Sequence, residues 1–187
     1  MGLSLESMAI HMPTVFGHPN RAEFRGMLTS VDVASDKSPS GARGHRVLLT
    51  RSAAEAAIPS LMGMGLDYSP GLDRHDARRK IGVITRAEIV GRAIEVGGYL
   101  YARDFPEIVK EIGRTRVLNE TLAARAERGT KSGHESSGKL GMSYEITDAL
   151  VEDIKAAVWV LSRVTFTGAA VLRRDKAAYS ATWIELA

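Results

Sequence analysis

A chain without cysteine must find its nucleophile elsewhere. This one has 187 residues, no Cys and five His. A serine worked by a histidine base is therefore the covalent chemistry most open to it. Ser143 lies in the segment LGMSYEI (residues 140–146), with Gly141 two positions ahead. A small residue beside a strand nucleophile leaves room for a substrate carbonyl. The segment is not G-x-S-x-G, so the strand-to-helix elbow of the α/β-hydrolases is not indicated. Read alone, a serine on a strand is an ordinary ladder residue. His75 lies in SPGLDRHDARRKIGV (residues 69–83), a Gly/Pro turn running into a strand. An imidazole at a strand mouth can reach a neighbouring strand; the plain alternative is an exposed loop histidine among charges. His45 also sits just before a strand. His11, His18 and His134 fall in segments of loop composition, which suits solvent better than a fixed site.

Other chemistries have less support. No H-E-x-x-H motif and no His/Asp pair at helical spacing points to a metal. Asp73, His75 and Asp76 could gather locally, but Arg74, Arg78, Arg79 and Lys80 would repel a cation. The glycines at 63, 65, 97 and 98 form neither G-x-G-x-x-G nor a P-loop, so nucleotide binding is not indicated. The basic run Arg74–Lys80 has no interleaved aromatics and reads as a solvated turn, not a nucleic-acid patch. No metal, no cofactor and no specific nucleic acid is expected.

Composition bounds the rest. Apolar residues make up 44% and charged residues 25%, with a net charge of +3. Those are ordinary globular values, and the length suits one domain. Absence of Cys excludes a disulfide framework and fits a reducing compartment. Apolar runs such as Ala156–Leu161 fall far short of the ~20 residues that span a bilayer. Met1–Pro13 lacks the charged start and apolar core of a signal peptide.

The elements that must position Ser143 and His75 follow from patterning. Strands are expected at Glu23–Val33, Arg46–Thr50, Lys80–Thr85, Leu140–Ile146 and Val158–Phe166, with a strand pair from Ala87–Val96 and Gly98–Ala102. Ser52 and Glu55 fit a capping box for a helix over Ser52–Met64, shortened or kinked at Pro59. Asp104–Glu127 is the clearest helix, with Pro106 in its first turn and Phe105, Ile108, Val109, Ile112, Leu118 and Leu122 at helical spacing. Val171–Ala178 reads as helical and Tyr179–Ile184 as extended. Residues 1–20, 35–44 and 126–139 read as flexible, the last as a mobile loop inside a single domain spanning 21–187. Many strands without βαβ alternation indicate an α+β domain built on an antiparallel sheet or small barrel.

The order of these pieces carries a likeness that no single piece does. His75 precedes the strand KIGVI, an extended segment follows at Gly97–Ala102, and a long helix covers Phe105–Glu127. Then come LGMSYEI with Ser143 and an apolar strand running into small residues (Val160–Ala170). With 68 residues from His75 to Ser143, this order resembles the prohead (capsid maturation) serine proteases of tailed phages, over about residues 21–185. Their fold is shared with the herpesvirus assemblins, an antiparallel β-barrel flanked by helices with Ser and His on adjacent strands.

The resemblance implies a serine endopeptidase that processes scaffold and capsid proteins inside an assembling prohead in the host cytoplasm, with a homo-oligomeric state. His75 takes the position of the base and Ser143 that of the nucleophile. The family's third member, Glu or His, belongs on the strand after Ser143, where this chain reads LSRVTFTGAA and has neither. Three readings stay open. Thr165 accepts the His75 N–H; or Asp76, Glu145 or Asp153 supplies a carboxylate; or the chain is a weak or inactive relative. Arg173 and Arg174 resemble the arginine pair that supports the oxyanion hole in assemblins. The segment 126–139 is implied to be a lid or a site of self-cleavage. Two alternatives stand beside this reading: a non-catalytic capsid-assembly module that kept the protease fold, and a generic α+β domain with coincidental motifs.

Overall fold

Long stretches of this chain alternate buried and exposed residues, and they become strands. The computed structural model describes residues 7–13, 15–114 and 140–187. In chain order the described strands are β1 (Ser7–Ala9), β2 (Ala22–Ser30), β3 (Arg46–Leu49), β4 (Gly65–Tyr68), β5 (Lys80–Val90), β6 (Ala93–Leu100), β7 (Leu140–Val151), β8 (Val158–Arg173) and β9 (Trp183–Leu186). Helix α1 (Arg51–Ala57) follows β3. Helix α2 (residues 106–114) follows β6 and starts at Pro106, where a missing N–H costs nothing.

These strands join one sheet in the order β3-β8-β4-β5-β6-β2-β9, with β1 added to β5 and β7 to β8. The sheet curls into a half-barrel, so that β7 comes round to face β2. A Cβ on Gly26 of β2 would lie 2.6 Å from the Sδ of Met142 on β7. Phe24, Leu28, Ile84, Ile94, Leu100 and Leu140 are fully buried in the core. Each such side chain stabilises the fold by roughly 1.5–3 kcal/mol.

The architecture is mixed α+β, as the strand-rich pattern implies. It is not wholly antiparallel. β3 and β4 both run parallel to β8, pairing at Leu49↔Leu161 and Leu66↔Ala169. The cause is the length of β8: at 16 residues it has room for two short strands end to end along one edge. Between them the chain lifts off into α1. The stretch of β8 left open there is closed by a side chain, since Ser60 Oγ accepts the Phe166 N–H at 3.0 Å.

Several local expectations shift. Thr50, not Ser52, caps α1: its side chain accepts the Ala53 N–H at 3.2 Å. Beyond α1, Ile58–Leu61 tightens into a 3-10 turn with Pro59 near its start. The hairpin pairs Lys80–Val90 with Ala93–Leu100 and turns at Gly91, whose φ of 59° is cheap for glycine. Val171–Ala178 is not a helix. β8 continues to Arg173 because its edges are still paired, and only Arg174–Lys176 forms a 3-10 turn. Strand β4 lacked a sequence signal at only four residues. Within the N-terminal segment, Ser7–Ala9 pairs with Arg86–Glu88 of β5. The helix beyond residue 114 and the segment 126–139 lie outside the described residues.

A hairpin glycine, Gly98 of β6, sets how closely β6 and β5 approach. A Cβ on Gly98 would overlap the Val83 carbonyl. Gly98→Ala is expected to lower unfolding stability by on the order of 3 kcal/mol, read as a drop in denaturation midpoint. Gly41→Ser, which meets open space in a loop, should cost less despite its positive φ of 87°.

Candidate active site

Strand register does most of the positioning. On β8, Ala170 is opposite Ser143 of β7 on one side and Asp67 of β4 on the other. Asp67 is in turn opposite Lys80 of β5. Register partners share a face of the sheet. Lys80, Asp67, Ala170 and Ser143 therefore form one row across four strands.

His75 reaches this row from the loop joining β4 to β5. That loop is pinned on both sides of the histidine. Before it, Ser69 Oγ donates to Asp73 Oδ1 at 2.8 Å, and the Arg173 N–H donates to the Leu72 carbonyl at 2.7 Å. Leu72 is held at φ 51°, a left-handed conformation that costs a leucine roughly 1–2 kcal/mol. After it, the Asp76 N–H donates to Asp67 Oδ1 at 3.1 Å. The outcome is a His75 Nε2 to Ser143 Oγ distance of 3.2 Å.

The far ring nitrogen is the site's anomaly. His75 Nδ1 is buried and has no hydrogen-bond partner among the described residues. Two carboxylates face it, Asp67 Oδ1 at 3.7 Å and Glu145 Oε1 at 3.8 Å. Both are beyond hydrogen-bond length, and catalytic contacts are often this loose without substrate. A proton on Nδ1 leaves Nε2 free to accept the Ser143 hydroxyl. Asp67 is fully buried, while 51% of the Glu145 side chain is exposed. Burial pushes the Asp67 carboxyl up, but His75, Lys80 and the Asp76 N–H outweigh it and hold the group below its ordinary value. Lys80 Nζ donates to Asp67 Oδ2 at 3.0 Å.

The other sequence candidates go elsewhere. Thr165 pairs with Thr147, five residues along β8 from Ala170, or about 16 Å at strand rise. It cannot accept from His75. Arg173 pairs with Asp175 at 3.1 Å, and Arg174 Nε donates to the Thr182 carbonyl at 3.0 Å. Neither lines the cleft at Ser143; the basic side chains that do are Lys37, Arg74 and Lys176. Asp76 pairs with Arg79 at 3.4 Å, and Asp153 accepts the Lys155 N–H at 2.8 Å in the turn between β7 and β8. His45 is structural, donating to the Ala156 carbonyl at 2.9 Å and stacking on Trp159. His18 Nδ1 accepts the Asn20 N–H.

Sequence reading missed Asp67. Its one signal was a charge inside the short apolar run Gly-Leu-Asp-Tyr, eight positions before His75.

His75 and Ser143 open onto a cleft of about 830 Å³. One wall is β7 from Met142 to Val151, and the facing wall is the loop over residues 37–42. Among the described residues, no group of three or more His, Cys, Asp or Glu is placed to hold a metal ion. No described helix is long and apolar enough to cross a membrane.

Asp36 anchors the facing wall: its Oδ2 accepts both the Ser180 N–H and the Ser180 Oγ–H at 2.7 Å. Those two bonds, helped by Arg46 and Lys37, hold its carboxyl below the ordinary 3.8 against a push from burial. A lowered folded value means that its stabilisation is complete above the unfolded value and is lost as pH falls through the folded one. Asp36→Asn should therefore flatten the loss of stability below about pH 4, seen as a shallower fall of Tm with pH. No family model, curated protein or solved structure matches this chain.

Proposed function

We propose that the chain is a serine endopeptidase of the prohead-processing kind, cutting capsid and scaffold proteins during phage head maturation. One observation carries the reading. Two residues 68 positions apart, each unremarkable in its own segment, meet as a nucleophile–base pair at 3.2 Å in an open cleft. The motif order that resembles the prohead proteases and assemblins adds to it, as does the curled, strand-rich sheet that carries Ser143.

The chemistry is acyl transfer. Ser143 Oγ attacks the peptide carbonyl carbon while His75 Nε2 takes its proton. The tetrahedral intermediate then collapses. The C–N bond breaks, and the imidazolium returns the proton to the leaving amine. Water, deprotonated by the same nitrogen, attacks the acyl-enzyme and frees the acid and Ser143. The positive side chains of Lys37, Arg74 and Lys176 line the same cleft and favour developing negative charge there. The rival reading, a non-catalytic capsid-assembly module, drew its support from the lack of Glu or His after Ser143. With Asp67 and Glu145 both facing Nδ1, that ground is weakened.

A fluorophosphonate probe and a gel assay on capsid and scaffold proteins test the proposal. Ser143→Ala should abolish labelling and cleavage, and His75→Gln should lower both by at least about 10³-fold. Thr165→Ala and Arg173→Ala should stay within about 3-fold of the parent, as substitutions away from the reacting atoms. Undiminished labelling of Ser143→Ala would remove Ser143 as the nucleophile.

A further inference from the structure

We infer that Asp67 is the positioning carboxylate for His75, held ready by Lys80, and that Glu145 is not. The inference rests on the serine-hydrolase reading and adds to it a residue upstream of the histidine, on a strand that sequence patterning did not reveal.

The row across the sheet is the first argument. Asp67 and Ser143 flank Ala170, so they stand two strand spacings apart, about 9.6 Å. A carboxylate, an imidazole and a hydroxyl laid end to end fill such a gap. The ring that bridges them passes over Ala170, whose single methyl leaves it room.

The second argument is that two unsatisfied features face each other. A buried ring N–H without an acceptor is costly, and so is a buried carboxylate without enough donors. Among the described residues His75 Nδ1 has no hydrogen-bond partner. Asp67 gives Oδ2 to Lys80, whereas Oδ1 accepts the Asp76 N–H, its one hydrogen bond among the described residues, and lies 3.7 Å from Nδ1. A carboxylate has about four acceptor sites, so Oδ1 has capacity to spare. When Ser143 gives up its proton, the imidazolium and Asp67 attract each other, and closing less than an ångström completes the bond.

The third argument is preorganisation. Asp67 is fixed by Lys80 and Asp76 and shielded from water. Glu145 has a longer side chain, half of it in solvent, and among the described residues makes no comparable anchoring contact. It lies across Gly168, where a Cβ would come within 2.6 Å of its Oε2. An exposed, rotatable charge orients a ring less well than a buried, clamped one, because water screens it and its order must be gained on each turnover. Its carboxylate, though 3.8 Å from Nδ1, is therefore not a hold on the ring.

The full chain with ¹⁵N-labelled histidine tests this by NMR, alongside fluorophosphonate labelling of Ser143. In the parent, His75 should carry its proton on Nδ1. Asp67→Asn should shift the ring toward the other tautomer and slow labelling by about 10³-fold or more. Glu145→Gln should leave the tautomer unchanged and labelling within about 3-fold. A larger loss in Glu145→Gln than in Asp67→Asn, or no change in either, overturns the inference. Should Asp67→Asn not fold, the probe-bound protein decides. A strongly downfield Nδ1–H resonance that survives Glu145→Gln supports Asp67 as its partner, and one that vanishes overturns it. A parent that is never labelled defeats the hydrolase reading alone, since the tautomer measurement still tests Asp67.

Discussion

Strand β8 is the shared partner on which the rest of the molecule depends. It holds β3 and β4 along one edge and β7 along the other. A one-residue slip on either edge would turn every side chain of the slipped strand to the opposite face. Ser143 and Asp67 face the same way only because both registers are fixed at Ala170. The core enforces this. Leu161, Val164 and Phe166 of β8 are buried, as are Leu66 of β4 and Met142 of β7. Slippage would expose these groups to water.

On this frame the site is an exercise in placing charge where water is scarce. An isolated carboxylate would not stay ionised in the sheet interior. Lys80 makes it tenable, because its stem crosses from the first residue of β5 and its side chain stays 40% exposed. Such snorkelling lets a buried anion have a partner without burying a second full charge. The histidine arrives on a loop whose hydrogen bonds to Asp67 and to the Arg173 N–H lie on two neighbouring strands. The ring is thus referenced to the same strands that set the row.

What the sequence made legible follows from range. His75 and Ser143 could be singled out because each is a chemically capable residue beside a strand with clear patterning. The chain order of those strands then brought the two into one reading. β4 escaped notice because four residues are too few to reveal a period, and its Asp breaks the apolar run that would mark a buried strand. Thr165 is a candidate in the sequence by its place on the strand after Ser143. Sequence cannot show that β8 is long enough for position 165 to fall about five residues beyond the row. Sequence patterning places Arg174–Lys176 in a helix for a related reason. The mix of apolar and charged residues in Val171–Ala178 suits either structure, and the pairing of β8 with β4 and β7 decides between them.

Ser60 closes the gap between β3 and β4 by accepting the Phe166 N–H from 106 residues away. That bond, like the pairing of Leu66 with Ala169, joins segments about a hundred residues apart in the chain. Contacts of such separation form late, since the intervening loop must first be closed. A chain still lacking β8 has Asp67, His75 and even Ser143, but no strand to set them in line. The row is in this way tied to β8: Asp67, His75 and Ser143 come into line only once that strand has been made and paired.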